Sequence, residues 1–426
     1  MSEQDRVFAK CEWRLIPFTA LLYLVSYVDR VNVGFAALTM NKDLAFSPRT
    51  YGFGAGVLFI SFSLGQVPAN MVLMRMGARR WLFCIMSAWG ALSAATAFVQ
   101  TPLSFYVLRF FLGAVESGFF VGVIFYLSLW FPEHRRARCI AGFQTAIPLA
   151  FVLGGPVSGL LLGMEGVLGL HGWQWLFLIE GLPALLLAFA VLKLLPDSPA
   201  HASWLSAEEK GMIASRLAVD DAAKECDLWP ALRDPRVFAL GLALFGTICA
   251  GIGIQLWLPL IAQGMGYSNT ASGFVVALPA VLAIGAMILW GRSSDRRRER
   301  VWHAACAMLL TAAGFAFASV APNDLTELAA LMVAFVSPIA VLPILNTLTL
   351  SFLRGPAAAA GFALYNTLGL LGGFAGPYVL GALKESTGTY TSGMMALAFG
   401  MTISAAIVLA LGRAMARRPA PTVHLT

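Results

Sequence analysis

Residues 103–131 read LSFYVLRFFLGAVESGFFVGVIFYLSLWF, an apolar run interrupted by two ionisable residues, Arg109 and Glu116. As a helix rising 1.5 Å per residue, a run of this length crosses a ~30 Å hydrocarbon layer and carries both charges to membrane depth. Seven residues are two helical turns, so Arg109 and Glu116 share one face, with Glu116 about 10 Å further along the axis. Outward from this run, charge-free stretches of spanning length recur at 50–74, 81–108, 139–164, 328–353, 355–383 and 386–412. Each is expected to be one helix. Apolar runs at 15–38, 174–195 and 302–320 add three more. The 237–291 stretch is too long for one span, and Gly264, Gly266, Tyr267, Ser268 and Asn269 place a turn in it.

The expectation is an all-α membrane protein of twelve transmembrane helices. Two six-helix bundles, 1–195 and 237–426 with its tail, flank a cytoplasmic central loop at 196–236. Composition agrees: of 426 residues 59% are hydrophobic and 12% charged, against about 45–50% and 25% in soluble domains. A soluble multidomain enzyme is excluded. With the N-terminus in the cytoplasm, 24 of the 29 Lys and Arg fall in inner loops and tails, and the outer loops hold only Lys42, Arg49 and Lys384. That bias orients the chain with both termini inside, in an inner or plasma membrane. It also accounts for the net charge of +7 without nucleic acid, and the basic loop Arg292 to Arg300 reads as a topology determinant beside anionic lipid. The six cysteines are scattered and read as reduced packing residues. The five histidines lie at span ends or outside, and there is no His-Glu-x-x-His or Walker A pattern, so neither a membrane enzyme, a metal site nor a nucleotide cofactor is expected.

A weak repeat supports two halves. Ala141-Gly142-Phe143 is followed by Gly154-Gly155-Pro156, and Ala360-Gly361-Phe362 by Phe374-Ala375-Gly376-Pro377. Duplicated bundles of this kind build secondary transporters with a site near the bilayer midplane.

Five ionisable residues fall within spans, all in the first half: Asp29, Arg30, Arg109, Glu116 and Glu180. Left unpaired, at roughly 2.5–3.5 kcal/mol each, they would cost of order 10 kcal/mol or more, so they face a cavity or one another. Arg30 and Arg109 come out at similar depth, roughly 7–9 Å below the outer boundary. Two guanidiniums at one depth make a carboxylate trap, because each offers a planar fork and neither can shed its charge. Tyr27 shares the Arg30 face. Asp29 and Glu116 suit proton loading and release. The other reading is a static salt-bridge network pinning two helices together. For Glu180, beside Trp173, Trp175 and Gly181, a packing role and a functional one stay equally open.

The stretch Tyr27-Val28-Asp29-Arg30-Val31-Asn32-Val33-Gly34-Phe35-Ala36 and the stretch Arg109 to Glu116 resemble signatures of the major facilitator superfamily, within it the anion:cation symporter family. Gly172 to Gly181 and Ala202 to Glu209 are similar to the branch that includes tartrate, phthalate and 4-hydroxyphenylacetate permeases. The resemblance implies proton-coupled uptake of a small organic carboxylate, with no cofactor beyond the proton gradient, and a monomer is expected. It implies Asp29 and Glu116 as proton carriers and Arg30, Arg109, Tyr27, Gln144 and Asn366 at the substrate. Gly291, Asp295 and Arg296 match the gating-loop motif of the superfamily. Gln66, Met74, Val121, Ile339-Ala340 and Leu370-Leu371 depart from the branch pattern. An efflux carrier or uniporter of the same fold is the alternative.

Overall fold

The computed structural model describes residues 3–220, 233–351, 353 and 357–416. Cys226, Arg354, His424 and the last basic residues of the tail lie outside them. The described residues are helical, with no strand among them. In chain order the helices are α1 (Glu3–Asp43), α2 (Pro48–Met76), α3 (Ala78–Thr96), α4 (Pro102–Ser128), α5 (Glu133–Gln144), α6 (Ala146–Leu161), α7 (Gly172–Leu194) and α8 (Ala207–Asp220). They continue as α9 (Pro235–Gly264), α10 (Asn269–Arg297), α11 (Val301–Ala318), α12 (Asp324–Leu350), α13 (Ala357–Leu370), α14 (Gly372–Thr387) and α15 (Thr391–Ala416). The described cysteines are free.

Among the described residues, ten helical segments, rather than twelve, are long and apolar enough to cross a bilayer. The charge-free 81–108 stretch is not one helix: α3 stops at Thr96, and α4 begins behind a Thr101–Ser104 capping box with Pro102 in its first turn. The 355–383 stretch divides at Leu371 into α13 and α14, of 14 and 16 residues, each shorter than the ~20 a crossing needs. The 139–164 stretch also breaks, between α5 and α6 at Thr145. Leu64, Val67, Leu186, Phe189 and Phe399 are more than 60% exposed, whereas Arg109 and Glu116 are fully buried. Apolar outside and charged inside is the partition of a protein solvated by lipid.

The chain forms two compact units, Met1–Lys224 with Gln255–Val281, and Glu225–Ile254 with Leu282–Thr426. In the first, α4 lies against α2 at Gly113, where an added Cβ would run into the Leu58 carbonyl oxygen. Close approach of this kind locks the helix face, and here it fixes the face carrying Arg109 and Glu116. Gly90 of α3 and Gly181 of α7 meet similarly, a Cβ on either lying 3.1–3.2 Å from the other's carbonyl oxygen. That contact seats α7 against α3. Residues 255–281 join the same unit through backbone: Tyr51 donates to the Leu256 carbonyl at 2.9 Å, Gln263 to the Leu38 carbonyl at 3.2 Å, and the Gly155 and Gly273 backbones abut.

At the end of this unit nearest the N-terminus, ion pairs dominate. Lys10 meets Glu209 at 2.9 Å, Arg79 meets Asp197 at 3.1 Å, and Arg135 pairs with Asp5. Trp204 stacks on Trp130, centroids 5.5 Å apart, with the Arg14 guanidinium 5.1 Å from its ring centroid. The central stretch up to α8 is therefore fastened to the first unit.

At the opposite end, His171 Nδ1 lies 2.7 Å from Glu165 Oε1 and 3.3 Å from Asp43. The Gly172 N–H, followed by His171, holds the Glu165 carboxyl below its usual range, and the bond to Glu165 raises His171 above its ordinary 6.5. A raised His contributes stability below its unfolded value and loses it as pH climbs through the folded one. A depressed Glu contributes above 4.5 and loses it in acid. The pair is therefore at full strength between about pH 4.5 and 6.5. The melting-temperature difference between wild type and His171→Gln should be small, since the pair is half exposed, largest near pH 5.5 and gone in alkali. A difference that grows with pH would contradict this.

Candidate functional site

The five ionisable residues of the first-half spans sort into two clusters. In the first, Arg30 turns its side chain to Glu116, donating to Oε2 from Nε at 3.0 Å and from Nη2 at 2.8 Å. The same guanidinium lies 5.0 Å from the Tyr27 ring centroid and 4.8 Å from that of Phe62, two cation–π contacts that hold its plane. Arg30 is slightly exposed at 13%, Glu116 not at all. Arg109 is also fully buried, and its Nε, Nη1 and Nη2 have no hydrogen-bond partner among the described residues. Its charged and polar neighbours are Glu116, Asp29, Tyr51 and Arg30. Glu116 Oε1 likewise lacks a donor. An arginine with five buried N–H groups and nothing to receive them has the chemistry to bind an anion.

The second cluster faces away from Arg30. Asp29 accepts from Asn32 Nδ2 at 3.0 Å, from Trp89 Nε1 at 2.6 Å and from Ser93 Oγ. The adjacent residues Asp29 and Arg30 are thus turned to different partners: Asp29 is served by neutral donors of α1 and α3, and Arg30 by a carboxylate of α4. Glu180 of α7 accepts from Ser158 Oγ at 2.7 Å and has the Asn32 side chain and Asp29 as neighbours. Sequence reading missed Asn32, Trp89, Ser93 and Ser158. Of these only Asn32, three residues from Asp29 and hence on its face, carried a positional signal.

Tyr27 lies at the first cluster. Gln144 is the last residue of α5, beside the Thr145 break, and is partly buried. Asn366 belongs to the second unit, on α13, where its neighbour Tyr365 is buried and donates to Asn346 at 3.0 Å. Gly291, Asp295 and Arg296 end α10 in that unit; the Arg298 N–H bonds the Asp295 carbonyl at 3.2 Å to close the turn. Arg292, Ser293, Arg296 and Arg297 line a small pocket there of about 280 Å³.

Residues 19–377 match the Major Facilitator Superfamily. A protein of Agrobacterium vitis named "Putative tartrate transporter" is 47% identical over 377 residues, covering 88% of this chain and 87% of its own. A "Quinolone resistance transporter" of Acinetobacter baumannii is 39% identical, covering 88% of each chain. Among solved structures, an inward-facing bacterial homologue of the human lysosomal transporter Spinster superposes with a TM-score of 0.80 at 17% identity, covering 96% of this chain and 99% of that one.

Proposed function

We propose, from the premise that the chain belongs to the Major Facilitator Superfamily, that it imports a small organic carboxylate together with protons. It is a membrane transporter and not an enzyme. The observation that carries the finer reading is the buried, unpartnered Arg109 guanidinium beside the Arg30–Glu116 pair. Arg30 and Arg109 bring two positive charges, Glu116 and Asp29 two negative ones, and the set is neutral. A carboxylate adds one negative charge and competes with Glu116 for Arg30. Protonating Glu116 relieves both problems at once: neutrality returns, and Arg30 is released to form a bidentate pair with the substrate. Anion and proton are thereby bound together, and a dianion calls for a second proton, with Asp29 its nearest acceptor. The relative named for tartrate transport supports a hydroxylated dicarboxylate as the substrate class.

In this reading the chain makes twelve crossings, with α3 and the divided α13–α14 completing the ten, both termini cytoplasmic, in an inner or plasma membrane as a monomer. Alternating access is the mechanism that a duplicated bundle allows, with Tyr27, Gln144 and Asn366 offered as substrate contacts and Gly291, Asp295 and Arg296 as the gating motif. Proteoliposome uptake of a dicarboxylate panel with an imposed pH gradient tests the function. Uptake indifferent to the gradient would refute coupling. Export by the same fold is the second reading, favoured by the relative named for quinolone resistance. Comparison of inward and outward flux under one gradient separates the two.

Orientation has its own test. In a cysteine-free background, a membrane-impermeant thiol reagent applied to intact cells should label Cys placed at Lys42 or Lys384 and spare Cys placed at Arg297. Labelling at 297 would overturn the orientation.

A further inference from the structure

One face of α10 is bare and changes character partway along the helix. Leu282, Leu289 and Arg296 are each seven residues apart, two helical turns, so they lie on one line, with Gly285, Arg292 and Ser293 beside it. Leu282 and Leu289 are 51% and 68% exposed, and a Cβ added at Gly285 would meet nothing within 4 Å. The apolar part of the face is therefore a shallow seat, a glycine between two leucines, open to the hydrocarbon of the membrane. About 4.5 Å beyond Leu289 the face becomes basic. Leu289, Arg292, Ser293, Arg296 and Arg297 line the pocket of about 280 Å³, and the three arginines are exposed.

Among the described residues no salt bridge involves Arg292, Arg296 or Arg297. Two carboxylates lie close in sequence. Asp295 is turned about 100° from Arg296 around the helix, off the line. Glu299 is taken by the Trp302 and His303 N–H groups and by the His303 ring. Arg298 and Arg300 add charge of the same sign as the pocket.

A guanidinium has five N–H donors and no acceptor, and its planar fork matches two oxygens of a phosphate. Three of them with the Ser293 hydroxyl make a donor set for an anionic phosphate. Soluble phosphate and a lipid phosphodiester share that chemistry. The leucine–glycine seat, joined to the pocket through Leu289, selects the lipid, because a lipid phosphate arrives with an acyl chain that fits the same face. A free anion would hold only exposed arginines, whose attraction salt screens. A basic loop attracts anionic lipid anywhere along its length, whereas this face combines a pocket for the phosphate with a seat for the chain.

We propose that the pocket binds the phosphate of an anionic phospholipid, with Arg292, Ser293, Arg296 and Arg297 as donors and an acyl chain lying over Leu289, Gly285 and Leu282. The site rests on the membrane embedding of α10, and neither the carried anion nor the direction of transport enters.

The test uses the purified full-length chain in neutral detergent, with native mass spectrometry counting retained lipid. The probes are phosphatidylglycerol, phosphatidylcholine with the same chains, and inorganic phosphate. Wild type should retain one phosphatidylglycerol at a concentration where phosphatidylcholine is not held. Arg292→Gln with Arg297→Gln should weaken that retention about tenfold or more, and Arg292→Gln alone should weaken it in part. Arg75→Gln with Arg80→Gln removes equal charge elsewhere and should leave it unchanged. All four side chains are exposed, so the lipid-free melting temperatures should match wild type. Equal retention of phosphatidylcholine, undiminished retention in the Arg292/Arg297 variant, or an equal loss in the Arg75/Arg80 variant each overturns the proposal. Displacement of the lipid by millimolar inorganic phosphate would make this a soluble-anion site and overturn the lipid assignment. Transport is not the readout, so a failure here leaves the import reading standing, and failed import leaves this site standing.

Discussion

Arg109→Ala should abolish binding of the transported anion while leaving the empty protein as stable as wild type or more so. Arg30→Ala should abolish binding and also destabilise. Both losses of affinity follow from forfeiting two charge-assisted hydrogen bonds at roughly 1.5–3 kcal/mol each, which is about a hundredfold to ten-thousandfold in Kd. The difference in stability follows from the partners. Arg109 has no hydrogen-bond acceptor in the empty protein, so deleting it removes a desolvated charge and strands no hydrogen-bonded partner, and the negative charge left over on Asp29 and Glu116 is met by one proton. Arg30 is bound by Glu116, and its removal strands a buried carboxylate, a loss of about 3–5 kcal/mol. Lys at either position keeps the charge without the fork and should restore only part of the affinity. Thermal melts with and without a dicarboxylate measure both quantities. Normal ligand-induced stabilisation in Arg109→Ala would sink the anion-site assignment, and a large drop in its ligand-free melting temperature would favour a static charge network.

Glu116→Gln should uncouple transport. The amide imitates a permanently protonated acid, leaves Arg30 free for the substrate, and cannot lose a proton to let the empty carrier return. Counterflow should survive and gradient-driven accumulation should vanish. With the voltage held at zero, one pH unit across the membrane is worth about 1.4 kcal/mol per coupled proton, or about tenfold accumulation. The variant should give a ratio of about one, the value without any coupled proton. Retained accumulation would remove Glu116 from the coupling role. Loss of both activities together with a large fall in melting temperature would mean that the Arg30–Glu116 pair is structural.

The sequence carries the helical class and the first-half bias of charged residues, because apolar length and ionisable residues at depth are local properties. The seven-residue spacing places Arg109 and Glu116 on one face. It is silent on the choice Arg30 makes between anions, which depends on how far α1 is rotated against α4. The adjacency of Asp29 and Arg30 suggests a shared environment, yet a helix turns by ~100° per residue, and the two side chains part company. Breaks were the hardest feature to read. Thr145 lies three residues before Pro148, which lacks the N–H that would bond the Gln144 carbonyl, Leu371 lies between Gly369 and Gly372-Gly373, and no charge interrupts 81–108 where α3 gives way to α4. The Thr101-Pro102 pair was the available sign there, a cap followed by a first-turn proline. Ser93 and Ser158 gave no sign, because serine is common wherever membrane helices pack closely.

The two ends of the first unit are fastened by different forces, and they should answer differently to salt. Near the N-terminus the closure is Lys10–Glu209, Arg79–Asp197 and Arg135–Asp5, partly exposed ion pairs that ions screen over a Debye length of about 8–10 Å in physiological buffer. Where residues 255–281 join, the closure is glycine against glycine and hydroxyl or amide against backbone carbonyl, which ionic strength does not touch. Raising the salt therefore loosens the hold on the N-terminal helix and the central stretch and leaves the seating of residues 255–281 as it was, so ionic strength becomes a handle on one set of contacts alone.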